Sequence, residues 1–363
     1  MNEPNTLDEI LDFTCENLQI SNTNHKEAER SYKAVAEWLA ATGSSLSRYK
    51  PEIYPQGSFL IGTTVFPIGR NEFDLDFVCE LSGIDSSHSA VGILDTVEAR
   101  LRAHATYKTM VERLKRCIRL SYANKFHMDI LPAIPEMPGY GTRVLVPDRK
   151  LEDWKSSNPK GYAEWFSGRS QLYTLQLQEK RIEPLPSPQD ANDKAPLQRA
   201  VQLIKRARDR YYLENPDDAP RSIVLTTLAA QAYSGTLSTA QALHEILNSI
   251  AGNPVTEVRN PANSDEVLSE QWNKNPQSLV GFRKWISWLA KEWSETLTLR
   301  GEKLSTQLFN LFGEEPVKAA YVKQAENLNK MRDRGTLGVA RSGVLSGISS
   351  SAAAVPHNTF YGD

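Results

Sequence analysis

Three aspartates in two short strand-like segments are the residues best suited to chemistry in this sequence. Asp74 and Asp76 lie in residues 73–77, and Asp129 lies in residues 126–131. Because side chains alternate across a β-strand, Asp74 and Asp76 share one face and their apolar neighbours share the other. Two carboxylates on one strand face, joined by a third from another strand, can hold two divalent cations.

A Gly-Ser step precedes the aspartates, since Ser58 lies sixteen residues before Asp74. Gly57 has no Cβ and lets the backbone approach a phosphate, while Ser58 offers a hydroxyl and an amide at a predicted helix start. The pair could also be a simple helix N-cap, which is compatible with phosphate binding. An isolated Asp-x-Asp is usually a solvated strand face, so the prediction rests on the combination.

The chemistry that these residues favour is phosphoryl transfer. It needs an attacking hydroxyl, a triphosphate held in line and cations that neutralise developing charge. We expect Asp74 and Asp76 to bind the cation that accompanies the triphosphate, and Asp129 to join them at a second cation that activates the hydroxyl. The expected cofactor is Mg²⁺, as two ions, with Mn²⁺ as an alternative, because both accept hard oxygen ligands.

The composition is that of an ordinary soluble globular protein. The chain has 363 residues, a net charge of −2, 40% hydrophobic residues and 24% charged residues. The balanced charge argues against wrapping on long nucleic acid, so no obligatory nucleic-acid partner is expected. Three cysteines without a Cys-x-x-Cys pair indicate reduced thiols and a cytoplasmic protein. No signal peptide and no run of roughly 18 apolar residues is visible, so we expect no membrane partner.

Hydrophobic periodicity predicts an α+β fold with two lobes and a cleft between them. Residues 6–47 are mostly helical in pattern, 93–104 form a helix, and 116–122 with 126–131 form a hairpin that brings Asp129 into the sheet. Residues 132–196 are Pro-rich and irregular in pattern. Long helices are predicted at about 197–213, 222–234, 239–250 and 276–296. We therefore predict a catalytic lobe over 1–196 that includes an N-terminal spine helix, a helical lobe over 197–334, and a flexible tail over 335–363.

These motifs resemble a known superfamily. Gly57-Ser58-Phe59-x-x-Gly62-Thr63, followed by Asp74-x-Asp76 and Asp129, resembles the polymerase-β-like nucleotidyltransferases. Residues 54–59, 127–132, 154–162 and 203–209 are more narrowly similar to the CD-NTases, the cGAS- and DncV-like bacterial enzymes. The resemblance spans about residues 30–300. It implies a nucleotidyltransferase lobe with a mixed sheet, joined to a helical oligoadenylate-synthetase-like lobe, with the active cleft between them.

The resemblance also implies roles for residues of the second lobe. Lys205 and Ser222 match positions that reach the donor triphosphate in the family. A compact ammonium suits a phosphate oxygen, although most basic residues around Lys205 fit a solvated helix face. Ser222 precedes an apolar helix and could equally be an N-cap.

The implied activity is synthesis of a cyclic di- or trinucleotide second messenger from nucleoside triphosphates, with release of pyrophosphate. The expected substrates are ATP, GTP or both, with other triphosphates not excluded. The family acts in bacterial anti-phage (CBASS) defence, where the messenger activates a separate effector. Base choice, ring size, linkage and activation are not readable from the sequence.

The C-terminal residues raise a further hypothesis. Some CD-NTases are joined through their C-terminus to other molecules by a ubiquitin-transfer-like enzyme, and residues 360–363 resemble such an ending. The resemblance is incomplete, because the chain ends in Asp363 rather than Gly362. A disordered or self-docking terminus is an equal alternative.

Two other functions are compatible with the same motifs. One is a nucleotidyltransferase that makes linear oligonucleotides or modifies RNA ends, for which a broad basic surface would be expected. The other is a nucleotide sensor that has lost its chemistry, although all three carboxylates are present.

Overall fold

A computed structural model describes residues 6–69, 72–123, 125–137, 139, 141–148, 153–170, 194–339, 345–347 and 353–354. Its strands are β1 (Pro51–Pro55), β2 (Phe73–Leu81), β3 (Val111–Arg113), β4 (Ile118–Tyr122), β5 (Phe126–Pro135), β6 (Val144–Asp148), β7 (Asp153–Ser157), β8 (Arg259–Asn260), β9 (Asn263–Val267), β10 (Leu337–Val339), β11 (Leu345–Gly347) and β12 (Ala353–Ala354). Its helices are α1 (Thr6–Asn17), α2 (Asn22–Ala40), α3 (Gly57–Leu60), α4 (Ala90–Arg102), α5 (Pro159–Ser170), α6 (Pro196–Tyr211), α7 (Ser222–Ala232), α8 (Thr239–Gly252), α9 (Glu270–Lys274), α10 (Pro276–Thr296), α11 (Gly301–Phe312) and α12 (Glu314–Asp333).

A mixed sheet forms the first lobe. Its strand order is β1-β2-β5-β4-β3, with β6 beside the end of β5 and β7 beside β6. Strands β2 and β5 run parallel, and the other neighbouring pairs run antiparallel. The predicted hairpin is present as β4 and β5, which places Asp129 in the centre of the sheet beside β2.

The alternation of β2 fixes which side of the sheet carries charge. Phe73, Leu75 and Phe77 are buried and belong to the apolar core that α2 and α4 form on the back of the sheet. Each such side chain contributes about 1.5–3 kcal/mol by leaving water. The intervening Asp74 and Asp76 must then face the opposite side, where the cleft lies.

A second apolar core joins helices from three parts of the sequence. It contains residues of α6–α12, with Trp285 and Trp293 fully buried, and also Leu7–Leu18 and Tyr162–Phe166. Helices α1 and α5 therefore pack in the helical lobe, whereas the sequence analysis assigned residues 1–196 to the catalytic lobe. An amphipathic stripe shows that a helix is packed but does not show which core it meets. None of the described helices is both long and apolar enough to cross a membrane.

The described parts of the region predicted to be irregular, 132–196, contain strands and a helix. Strand β5 continues to Pro135, β6 and β7 form a hairpin, and α5 follows. Pro132, Pro135 and Pro147 lie within these strands and mask the strand pattern, because proline removes a ladder donor. Residues 171–193 lie outside the described part of the chain.

The segment from residue 335 also differs from the predicted flexible tail. Strand β10 pairs antiparallel with both β11 and β12 in a small three-stranded sheet. Leu337 and Val339 alternate in β10, but β11 and β12 are only three and two residues long and mostly small, so their pairing has little sequence signal. Residues 360–363, on which the conjugation hypothesis rests, lie outside the described residues.

An ion-pair network ties the sheet to the helical lobe. Asp148, at the end of β6, has a side chain that is 0% exposed and pairs with Lys115 at 2.9 Å and Arg116 at 3.2 Å. Arg116 also reaches Glu270 of α9, at 3.2 Å. Burial raises the pKa of Asp148, but hydrogen bonds from Lys115 and Arg116 and their charges outweigh it and lower that pKa to about 2.

We therefore expect Asp148→Asn to destabilise the protein by about 2 kcal/mol at pH 7, since a one-unit pKa shift corresponds to roughly 1.4 kcal/mol. The pKa of Asp148 is lower in the folded state, so its contribution is present above about pH 4 and is lost as pH falls through 2. Urea unfolding across this range should show the two proteins converging in acid. Glu314→Gln, which breaks an exposed pair with Lys318, is the control and should change stability little. An equal loss in both variants would contradict the role of burial.

Candidate active site

A row of functional groups crosses the sheet on the side that faces the cleft. In the parallel pair β2–β5, Asp76 lies opposite Asp129. In the antiparallel pair β4–β5, Arg119 lies opposite Asp129. On the other side, Gly57 follows β1 and lies close to Asp76, and Asp74 precedes Asp76 by two residues on the same strand face. The structure thus brings together the three aspartates and Gly57, which the sequence analysis selected.

Arg119 is the residue of this row that the sequence analysis missed. Its Nε donates to Asp129 Oδ1 at 2.7 Å and its Nη2 donates to Asp129 Oδ2 at 2.8 Å. The same Nη2 reaches Asp74 Oδ1 at 3.2 Å. A signal existed, because a hairpin that turns at residues 123–125 pairs Tyr122 with Phe126 and hence Arg119 with Asp129.

The charges of the aspartates make the site suited to cations. Burial, followed by repulsion from Asp129 and Asp74, raises the pKa of Asp76 to about 7. A divalent cation would relieve this repulsion, and carboxylate oxygens are the ligands that Mg²⁺ and Mn²⁺ accept. In the described residues, no three His, Cys, Asp or Glu side chains are already arranged as a metal cluster. The donor set therefore fits the expected cofactor in chemistry, while Arg119 holds the oxygens of Asp129.

His127 borders the aspartates on β5. Its Nδ1 lies 3.5 Å from Asp74 Oδ1, and its Nε2 lies 3.3 Å from Glu72. It lies opposite Asp74 in the β2–β5 register. The ring thus lies between two carboxylates at the edge of the row.

Gly57 is required by geometry at two levels. Its φ is +68°, a left-handed conformation that L-residues adopt at a cost. A Cβ at this position would lie 2.7 Å from Asp76 Oδ2. The turn between β1 and α3 can therefore approach the carboxylates only with glycine at position 57. Ser58 follows in α3 and lines the same cavity.

The segment after α3 is held by the helical lobe. Four side chains on α6 or just before it donate to four consecutive backbone carbonyls. The pairs are Gln198 with Ile61 (2.9 Å), Lys194 with Gly62 (2.8 Å), Lys205 with Thr63 (3.1 Å) and Gln202 with Thr64 (2.7 Å). This segment in turn contacts Ser58, because the Thr63 amide donates to its carbonyl at 2.9 Å and Thr64 Oγ1 lies 3.3 Å from its hydroxyl. The position of Ser58 thus depends on α6.

Lys205 is buried at the wall of the cleft. Its ammonium donates to both the carbonyl and the hydroxyl of Thr63, at 3.1 and 3.0 Å. Burial, with the nearby charge of Arg208 adding to it, lowers the pKa of Lys205 to about 7. An ammonium has three donors, and two of them are used on Thr63.

Ser222 lines the same cleft as Lys205. It is the first residue of α7, whose N-cap is Arg221, so Ser222 is not the cap. Its hydroxyl accepts from Arg208 Nη1 at 2.8 Å. Arg208 itself lines the cleft, one helical turn from Lys205, and the 3-residue spacing on α6 is the signal that could have identified it.

The cleft that these residues line has a volume of about 1500 Å³. Both lobes contribute, since Asp74 and Gly57 come from the sheet lobe and Lys205 and Ser222 from the helical lobe. Pockets for one small ligand measure roughly 300–1,000 Å³. The cleft has room for two nucleotides at once.

Comparison with known proteins gives consistent matches. The Second Messenger Oligonucleotide or Dinucleotide Synthetase (SMODS) domain matches residues 6–169. A c-di-GMP synthase from Roseivirga ehrenbergii is 34% identical over 377 residues, covering 100% of this chain and 99% of that protein.

Solved structures show the same fold. The CD-NTase CdnG of Bradyrhizobium diazoefficiens, in complex with GTP, has a TM-score of 0.72 at 24% identity and covers 89% of this chain and 100% of its own. The Vibrio cholerae cyclic AMP-GMP synthase DncV, in complex with the linear intermediate pppA(3′,5′)pG, has a TM-score of 0.56 at 16% identity, over 86% of this chain and 90% of its own. These matches confirm the predicted α+β nucleotidyltransferase fold. On the identity and coverage of the Roseivirga relative, this chain belongs to the CD-NTase family of nucleotidyltransferases.

Proposed function

We propose that this protein joins two nucleoside triphosphates into a cyclic dinucleotide, with GTP as a substrate. The observation that carries the proposal is the row of Asp76 and Asp129 opposite Gly57, in a cleft large enough for two nucleotides. The name of the Roseivirga relative, a c-di-GMP synthase, supports guanine as the base. The CdnG structure with GTP supports a triphosphate ligand.

The reaction proceeds in two equivalent steps. A ribose hydroxyl of one nucleotide attacks the α-phosphorus of the other, a phosphodiester bond forms, the bond to the β-phosphate breaks, and pyrophosphate and the hydroxyl proton leave. The linear product then turns so that its own triphosphate occupies the donor position, and the same chemistry closes the ring. The complex of DncV with pppA(3′,5′)pG contains such a linear intermediate, which supports this order of steps.

The carboxylates Asp74, Asp76 and Asp129 are the proposed holders of Mg²⁺ or Mn²⁺. When bound, these ions would supply charge neutralisation at the phosphate oxygens and a more acidic attacking hydroxyl. Asp74, whose side chain is 59% exposed, faces the open cleft, and Asp76 lies behind it against Gly57.

The triphosphate is proposed to lie between the Gly57-Ser58 turn and the wall formed by Lys205, Arg208 and Ser222. Lys205 and Arg208 offer cationic donors, and Ser58 and Ser222 offer hydroxyls. Since the turn belongs to one lobe and the wall to the other, the donor phosphate is held only while both lobes keep their contact.

The proposed biological role is bacterial anti-phage (CBASS) defence in the cytoplasm, with the cyclic product activating a separate effector. This role follows from family membership rather than from any residue of the cleft. Attachment of the C-terminus to another molecule by a ubiquitin-transfer-like enzyme, after removal of Asp363, is also a proposal.

The direct test is incubation of the purified protein with all four triphosphates and Mg²⁺, without any primer, followed by mass spectrometry. A phosphatase-resistant cyclic dinucleotide that contains guanine is expected. A linear oligonucleotide would indicate the alternative synthetic activity. Binding of GTP without release of pyrophosphate would indicate a silent sensor.

Replacing both Asp74 and Asp76 by Asn should lower product formation on the order of a thousandfold or more, because charge stabilisation at the transferring phosphate is lost. The Asn side chains keep the shape, so the circular dichroism spectrum should be unchanged. Substantial synthesis by this double variant would remove the proposed role of the two carboxylates.

Gly57→Ala should reduce turnover about 100-fold, because a displacement of about 1 Å at reacting groups can cost that much, and the new Cβ would push on Asp76. Gly43→Ala is the matched control. Gly43 also has a positive φ, +81°, but nothing within 4 Å of an added Cβ. Both variants should lose about 1 kcal/mol of stability from the left-handed backbone, and only Gly57→Ala should lose activity in steady-state assays.

Gln202→Leu should raise the KM for GTP, because the carbonyl of Thr64 loses its donor and the segment that holds Ser58 is released. The unpaired carbonyl should also cost about 1–3 kcal/mol of stability. The control is Gln324→Leu, which removes the hydrogen bonds of a buried amide on α12 to the Thr6 carbonyl and the Glu9 carboxylate, away from the cleft. Equal stability losses with an unchanged KM in both variants would show that α6 does not position Ser58.

A further inference from the structure

Arg119 bridges two of the three aspartates that are proposed to hold the cations. One guanidinium contacts both oxygens of Asp129 and one oxygen of Asp74. The two-point contact with Asp129 is the fork geometry in which Arg binds a carboxylate most strongly. Asp129 is only 14% exposed, so its carboxylate has little other access to solvent.

This arrangement disfavours binding of a divalent cation at Asp129 while Arg119 stays in place. A cation held by Asp129 needs a lone pair on at least one of its oxygens, and Arg119 already uses one lone pair on each of them. A guanidinium and a dication a few ångströms apart also repel each other, and this repulsion is strong in a partly buried site. Arg119 and a divalent cation at Asp129 therefore compete for the same carboxylate.

The setting of Arg119 allows it to leave. Its side chain is 24% exposed and lines the cleft, so the guanidinium has open space on one side. A triphosphate that enters with the cation offers phosphate oxygens, which a guanidinium binds as well as it binds a carboxylate.

We propose that Arg119 is the resident counter-ion of the three aspartates and a positioning residue for Asp129, and that it leaves Asp129 when a divalent cation enters with the triphosphate. In the free protein it balances the carboxylate charge and keeps Asp129 oriented. Metal binding and triphosphate binding are then coupled, because each lowers the cost of moving Arg119 for the other. This inference rests on the proposed function in taking the aspartates to be the cation site.

The test is titration of the full-length protein with Mn²⁺ in the absence of nucleotide. The concentration of free Mn²⁺ is measured by its electron paramagnetic resonance signal. Arg119→Gln should bind Mn²⁺ about tenfold more tightly than the parent protein, since one competing positive charge is removed. Adding a non-hydrolysable GTP analogue should tighten Mn²⁺ binding in the parent protein more than in Arg119→Gln. Loss of this difference between the two proteins would contradict the coupling.

The matched control is Arg116→Gln. This change removes the same charge from the same cleft, three residues away, but Arg116 pairs with Asp148 and Glu270 instead of the aspartates. The Mn²⁺ affinity of this variant should stay near that of the parent. Equal tightening in both variants, or unchanged or weaker binding in Arg119→Gln, would overturn the proposal.

Two additional proteins keep the outcome interpretable. Arg119→Lys retains the charge without the fork and should give an intermediate Mn²⁺ affinity, which serves as the test if Arg119→Gln does not fold. The Asp74→Asn, Asp76→Asn double variant should bind no Mn²⁺ at this site.

If Arg119→Gln tightens Mn²⁺ binding while the parent makes no cyclic product, the proposed function fails and the inference stands. If the product forms and Mn²⁺ affinity does not respond, only the inference fails.

Discussion

The parallel pairing of β2 with β5 is the constraint on which the site depends, because it places Asp76 directly beside Asp129. Neighbouring strands are only about 4.8 Å apart, so two carboxylates at paired positions repel each other. The apolar residues on the back of the sheet hold this register. A slip of one residue would turn the aspartates into the core that α2 and α4 form and expose Phe73 and Phe77. Burial of the apolar residues on the back of the sheet thus offsets the repulsion between Asp76 and Asp129 on the front.

Contacts from the helical lobe hold the Gly57-Ser58 turn of the sheet lobe in place. The turn at Gly57 and Ser58 has only a four-residue helix behind it, which is too short to be stable on its own. Three donors on α6 and Lys194 just before it satisfy four consecutive carbonyls of the following segment and so hold the turn in place. Because Lys205 belongs both to this contact and to the cleft wall, the contact between the lobes and the proposed phosphate site share one residue.

The sequence was sufficient for the parts of the site that are local. Alternation in residues 73–77 gave the common face of Asp74 and Asp76, and the turn at residues 123–125 gave the hairpin that carries Asp129. The sequence did not predict features that depend on long-range packing. One such feature is the packing of α1 and α5 in the helical lobe. Prolines obscured the strand pattern from Pro132 onward. The short strands β11 and β12, with mostly small residues, gave no pattern that predicts a sheet. The roles of Gly57, Ser58, Lys205 and Ser222 in binding remain predictions.

Strand pairing places Asp129 beside Asp76, and it also places Arg119 beside Asp129. A positive charge therefore lies next to the carboxylates. Three carboxylates within one row need positive charge at all times, or they would spread apart or take up protons. In the free protein, Arg119 supplies one charge through contacts with two of the three. A loaded site needs more, because a triphosphate adds several negative charges. Under the proposed function, cations that enter with the nucleotide would supply this additional charge and would take over the role that Arg119 has in the free protein.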